Sequence, residues 1–154
     1  MKRIFLVGLM ISPILLLAQT KVDSLKKMLL ANTLSSTTRI DILNNLADEV
    51  RNINLTASYE YAKEALSLAQ NNQYKKGEGM AYVGIANYHQ RKTAFENALK
   101  NIQPALQIFE SLNNREGLMN CYAVLGSVYS GLKDWENSDK YFNSVIGRNS
   151  ISLS

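Results

Sequence analysis

The sequence predicts an all-α fold: a right-handed superhelical stack of antiparallel helix pairs, about three pairs plus an N-terminal helix. Three observations lead there. Apolar residues recur at helical spacing along almost the whole chain, and no convincing run of period-two alternation interrupts them. A set of aromatic and small residues also recurs at an interval of forty: Tyr82 lies under Tyr122, Ile85 under Leu125, Ala86 under Gly126, and Phe95 under Trp135. The register continues through Ala98 and Ser138, Ile102 and Phe142, Ala105 and Val145, and Leu106 and Ile146. Gly77 and Gly117 stand the same distance apart. A fixed period of this size is the signature of stacked repeats, in which each helix pair buries its apolar face against the next.

The chain of 154 residues is 46% hydrophobic and 19% charged, a globular rather than a disordered balance. It has only 2 prolines and no stretch that reads as a linker, so one domain is expected after the N-terminal segment. That segment begins with Lys2 and Arg3 and continues as an apolar run, Ile4–Ala18, broken by Ser12-Pro13. A bilayer-spanning helix needs roughly 20 apolar residues, so the run is short for an anchor and suits a signal peptide over residues 1–18. No cysteine follows it, which argues against a lipoprotein. The expectation is an exported bacterial protein, periplasmic or secreted, that meets the membrane only through its leader; a retained anchor is the alternative. Without Lys2 and Arg3 the formal charge of +4 falls to +2. No basic run exceeds Lys26-Lys27 or Lys75-Lys76, and no aromatic platform is interleaved with them, so nucleic acid is not an expected partner.

The repeat domain is expected over 21–147, followed by a polar tail over 148–154. Val22, Leu25, Met28 and Leu29 give an opening helix, closed by the polar stretch Asn32–Thr38. Ile40, Leu43, Leu46, Ala47 and Val50 give a second. Tyr61, Ala62, Ala65, Leu66, Leu68 and Ala69 give a third, stopping at Asn71-Asn72. The fourth is expected from about Gly77 to Gln90, the fifth from about Ala94 to Leu112, and the sixth from near Glu116 to Gly131. The seventh is expected from Asp134, a suitable N-cap, to Ile146, with Gly147 as its stop. In each pair a small residue, Ala86 or Gly126, should sit where two helices approach most closely, opposite Ala98 and Ala105 of the second helix. Tyr122, Tyr129 and Trp135 should fill the surrounding space. A weaker first copy is visible too. Ser58, Ala62 and Ala65 stand forty before Ala98, Ile102 and Ala105, whereas Ala47 stands thirty-nine before Ala86, so one residue has been lost near Asn52–Leu55.

The pattern of an aromatic, then Leu-Gly, then Tyr, with small and aromatic positions in a second helix, resembles the tetratricopeptide repeat (TPR). The resemblance covers 21–147 and implies a TPR-like α-solenoid. Its period is forty rather than the usual thirty-four, with the extra residues expected in the second helix of each pair. This longer form resembles repeats in exported sensor regions of bacterial signalling proteins, and the lead-in 21–50 resembles the segment that opens them. The fold itself is a surface for many partners.

No catalytic constellation emerges. His89 is the sole histidine and occupies a packing register; with one His and one Cys the chain cannot assemble a tetrahedral metal site. Cys121 reads as a buried small hydrophobe. Gly77-Glu78-Gly79 has neither the preceding strand nor the following Lys-Ser/Thr of a phosphate loop. Asp48 and Glu49 are adjacent on a helix and diverge by about 100°, a poor carboxylate dyad. Asn54-Leu55-Thr56 reads as a helix approach with Thr56 near the N-cap, and Pro104 as a packing kink within the fifth helix. No enzyme activity, cofactor or metal is expected.

If the first helices line a concave face, the groove candidates by register are Asn44, Asp48 and Arg51, then Val83, Asn87, Gln90 and Arg91, then Ser127 and Ser130. Amide and guanidinium donors near its middle suit an extended peptide. Asn87 matches a position used by peptide-clamping members of the family, but their lysines are absent, which argues against capture of a C-terminal carboxylate. Two functions follow: an exported, non-catalytic protein-interaction module, or a truncated or detached sensor region of a histidine kinase or helix-turn-helix regulator. The seventh helix carries Trp135, Tyr141, Phe142, Val145 and Ile146. Tyr141, Val145 and Trp135 cannot all face the sixth helix, so part of an apolar stripe should be exposed, and self-association or binding of another protein through this helix is a further expectation.

Overall fold

The computed structural model describes residues 13–31 and 33–150, with side chains over 21–31 and 33–147. Residues 1–12 of the expected leader and 151–154 of the expected tail lie outside the described residues. Seven helices are described: α1 (Pro13–Leu29), α2 (Ser36–Val50), α3 (Leu55–Asn71), α4 (Lys75–Arg91), α5 (Phe95–Ser111), α6 (Arg115–Gly131) and α7 (Trp135–Ser150). There is no strand among the described residues. Consecutive helices pack on one another, so α2–α3, α4–α5 and α6–α7 are three stacked pairs with α1 laid against α2. None of the described helices is long and apolar enough to cross a membrane.

From α3 onward a helix begins every twenty residues, and α3 to α6 are each 17 residues long. The forty-residue period is therefore shared equally by first and second helices. The expected lengthening of the second helices alone is corrected. Equal lengths follow from a repeated turn, in which the residue after the C-cap adopts left-handed backbone: Gln73 (φ 54°), Thr93 (57°), Asn113 (48°) and Lys133 (61°). The next amide then donates five residues back, Tyr74 to the Ala69 carbonyl, Ala94 to His89, Asn114 to Phe109 and Asp134 to Tyr129, each at 2.9 Å. This closure satisfies carbonyls that a helix end leaves bare. α6 ends at Gly131 as expected, but not through glycine's conformational freedom. No described glycine has positive φ, and the break falls at Lys133.

The other termini refine the sequence reading. Asp134 caps α7 as anticipated, accepting the Asn137 N–H at 3.2 Å. The Asn137 side-chain amide donates to the same carboxylate at 2.8 Å, and these bonds hold the Asp134 carboxyl below its usual pKa. Asn54 rather than Thr56 caps α3, accepting the Ala57 N–H at 3.0 Å. The lost residue shows in the turn before it, where the Asn54 amide reaches only four back, to Val50, at 2.7 Å. α5 continues through Pro104, and α7 continues past Gly147 to Ser150, so Gly147 is not a stop.

Small residues decide how closely helices approach. Ala47, Ala86 and Gly126 on the first helices are buried, as are Ser58, Ala98 and Ser138 on the second. The Ser58 hydroxyl donates to the Ala47 carbonyl at 2.7 Å, and Ser138 donates to the Gly126 carbonyl at 3.0 Å. A tighter approach occurs between repeats. Phe109, fully buried at the end of α5, lies against the starts of both α4 and α6. A Cβ on Gly117 would fall 2.2 Å from its ring, and one on Gly79 would fall 2.7 Å away. Around it, Ile102, Cys121, Val124, Leu125 and Val128 form the main core. Burial raises the Cys121 thiol to about 12, so it packs as a hydrophobe.

In the last pair Tyr141 is one of the residues that faces α6: it stacks on Tyr129 with ring centroids 5.5 Å apart and also meets Tyr122. It therefore belongs to the α6–α7 contact. The exposed apolar residues of α7 are Trp135 (61%), Phe142 (37%) and Ile146 (66%).

Gly117→Ala should cost about 1–3 kcal/mol, because the buried Phe109 ring has nowhere to retreat. Gly126→Ala should cost less: its added methyl would meet Phe142 at 2.9 Å, and that ring borders solvent. Urea denaturation of both variants checks the order.

Candidate functional site

Helices α2, α4 and α6 lie side by side, and the shallow trough they enclose has a volume of about 520 Å³. Its centre is α4, which contributes Met80, Val83, Asn87, Gln90 and Arg91. From α2 come Asn44, Asn45, Asp48 and, at its end, Arg51 and Asn52; from α6 come Glu116, Asn120, Ala123, Val124 and Ser127. Helical geometry explains the selection, since residues three and four apart share a face. Asp48, Asn87 and Ser127 occupy equivalent positions on successive first helices, allowing for the one-residue loss, as do Asn44, Val83 and Ala123. A smaller hollow of about 250 Å³ extends the trough past Asp41, Lys76 and Asn114 at the starts of these helices.

The sequence-predicted residues are brought together here, apart from Ser130, which lies beyond the lining. Their states differ. Asn44 is buried, and its side-chain amide donates to the Gly77 carbonyl at 3.0 Å, tying α2 to α4. Val83 is buried and forms floor. Arg51 is paired with Asp48 at 2.8 Å. Among the described residues, nothing bonds to the side chains of Asn87, Gln90 or Arg91. Among the described residues the unbonded side-chain donors of the trough thus include Asn87, Gln90 and Arg91 of α4 together with Asn45 and Asn52 on the α2 side.

Several lining residues were missed. Met80 and Asn120 stand forty apart and touch, with the Asn120 amide nitrogen 3.8 Å from the Met80 sulfur. Extending the periodic register one turn toward each helix start would have found them. Asn52 carries no such signal, because the shortened α2–α3 turn displaces the register there, whereas Asn45 stands in register with Gly84 and the lining residue Val124.

The trough offers hydrogen bonding and charge. Among the described residues no three His, Cys, Asp or Glu side chains are grouped to hold a metal ion. His89 packs edge-on against Tyr59 and Tyr88, with centroids 5.9 and 5.3 Å away, on the side of α4 that meets α3.

No protein-family model matches the sequence, and neither does any curated protein. Among solved structures, the chain is similar to the TPR domain of Arabidopsis FLU, with a TM-score of 0.65 and 22% identity. The match covers 76% of this chain and 99% of that one.

The buried Asn44 amide gives a test of how much the trough owes to its own framework. Asn44→Ala should destabilise the protein by about 1–2 kcal/mol, the cost of a lost buried hydrogen bond. A urea titration against wild type measures it.

Proposed function

From the TPR-like fold of this chain we propose a protein-interaction module that binds an extended polypeptide segment along the α2–α4–α6 trough. The observation that carries the reading is the row of uncommitted donors on α4. Asn87, Gln90 and Arg91 face a polar trough, and among the described residues nothing bonds to their side chains. An extended chain presents a carbonyl and an amide at every residue, and side-chain amides can both donate to and accept from it. Arg91 favours a carboxylate or a run of carbonyls at that end.

The test uses extended peptides selected from a random library on the purified protein. Asn87→Ala with Arg91→Ala should weaken their binding about tenfold or more, the loss of one or two charge-assisted or neutral hydrogen bonds. Helix content by circular dichroism should be unchanged. Selected peptides that bind the double variant as tightly as wild type would remove the trough as the site.

The leader motivates a proposal of export, to the periplasm or beyond. The chain recovered from a bacterial host should then have a mass lacking residues 1–18, and an intact mass in the cytoplasmic fraction would refute it. A sensor region of a signalling protein is the second reading, motivated by the resemblance of the lead-in 21–50. It makes the same trough the input site. The exposed apolar residues Trp135, Phe142 and Ile146 redefine the surface of α7 on which the sequence led us to expect self-association or a protein partner.

A further inference from the structure

The outward face of α7 has two counterparts within the molecule, and both are covered. In α3 and α5 the same register positions meet the first helix of the next pair. Ala62 lies so near α4 that a Cβ on Gly84 would fall 3.0 Å from it. One turn earlier, Tyr59 stacks on Tyr88 of α4 with centroids 4.2 Å apart. In α5, Phe95 lies against the last residue of α6, where a Cβ on Gly131 would fall 2.3 Å from its ring. Ile102 is buried and Leu106 packs on the same core. Their equivalents forty residues on are Trp135, Phe142 and Ile146, and these are the exposed apolar residues of α7.

We propose that this face is a docking site for an amphipathic α-helix of a partner protein, seated as α6 is seated on α5. The internal interface specifies the chemistry of that helix. It needs an apolar stripe at three- and four-residue spacing. At its C-terminal end it needs a glycine where the larger Trp135 ring lands, as Gly131 accommodates Phe95. One position departs from the internal pattern. Tyr59 and Leu99 are followed in register by Asp139, an exposed carboxylate within the stripe. Tyr88 faces Tyr59, so Val128 is the residue of α6 equivalent to whatever faces Asp139. A lysine or arginine at that position of the partner helix would pair with Asp139.

Trp135 is the single tryptophan of the chain, which makes the face its own reporter. The probe is a helix-stapled synthetic peptide of the α6 sequence, Arg115–Gly131 with Cys121→Ser, in two forms: Val128 kept, and Val128→Lys. Titrated into the intact protein, both should move Trp135 emission to shorter wavelength as the ring is buried. The Val128→Lys peptide should bind about threefold tighter, in keeping with an exposed ion pair. Asp139→Lys in the protein should reverse that preference. Ile146→Lys should abolish binding of both peptides while the circular dichroism spectrum stays that of wild type. Failure of both peptides to shift the emission would overturn the proposal, as would equal binding by the Ile146→Lys variant. A blue shift that appears on concentrating the protein alone, with a dimer mass by sedimentation, would assign the face to a second copy and overturn it equally. Neither result touches the α2–α4–α6 trough, whose test reads peptide binding to Asn87 and Arg91.

Discussion

Everything in this structure is timed by one closure. After seventeen residues each of α3 to α6 reaches a C-cap followed by a residue in the left-handed region, and the next amide bonds five residues back. Because this happens at Gln73, Thr93, Asn113 and Lys133, helices restart at a constant interval and their small residues fall at matching heights. None of the four is glycine, although left-handed backbone costs an L-residue roughly 1–2 kcal/mol. Packing on both sides of the turn offsets that cost: the apolar faces of two successive helices are buried only if the chain reverses within three residues.

On that spacing rests the junction between repeats. Phe109 fills the gap between the starts of α4 and α6, and it fits because Gly79 and Gly117 carry no side chain. The same closeness brings α2, α4 and α6 side by side, so that Asn44 can reach the Gly77 carbonyl across two helices. The polar trough is thus a by-product of tight packing beneath it. Its floor is buried Val83 and its walls are whatever side chains the shared face of three helices presents.

Much of this was legible. The periodic recurrence of Tyr82 with Tyr122 and of Ala86 with Gly126 gave the helix pairs, and the groove residues followed from their register. What stayed hidden depended on contacts across repeats. Gly77 and Gly117 were visible as a periodic pair, but their reason, a ring from the preceding helix or turn, is not written in their own neighbourhood. Gln, Thr, Asn and Lys share no turn chemistry, so the left-handed positions could not be read from residue type. Which of the apolar residues of α7 face inward could not be read, because helix phase alone cannot distinguish a face that stacks on Tyr129 from one that meets solvent. Asn44 read as a free polar group, since only the approach of α4 converts it into a buried tie.

The stacked arrangement has a consequence for motion. Each helix is held mainly by its sequence neighbours, so opening is local and proceeds inward from the ends. Among the described residues α1 contacts only α2 and α7 only α6, whereas α4 is flanked by α2, α3, α5 and α6. Amide exchange should therefore be slowest in α4 and quicken toward both ends of the stack. A segment lying in the trough would brace three first helices at once, and slowed exchange in α2 and α6 would be the trace it leaves.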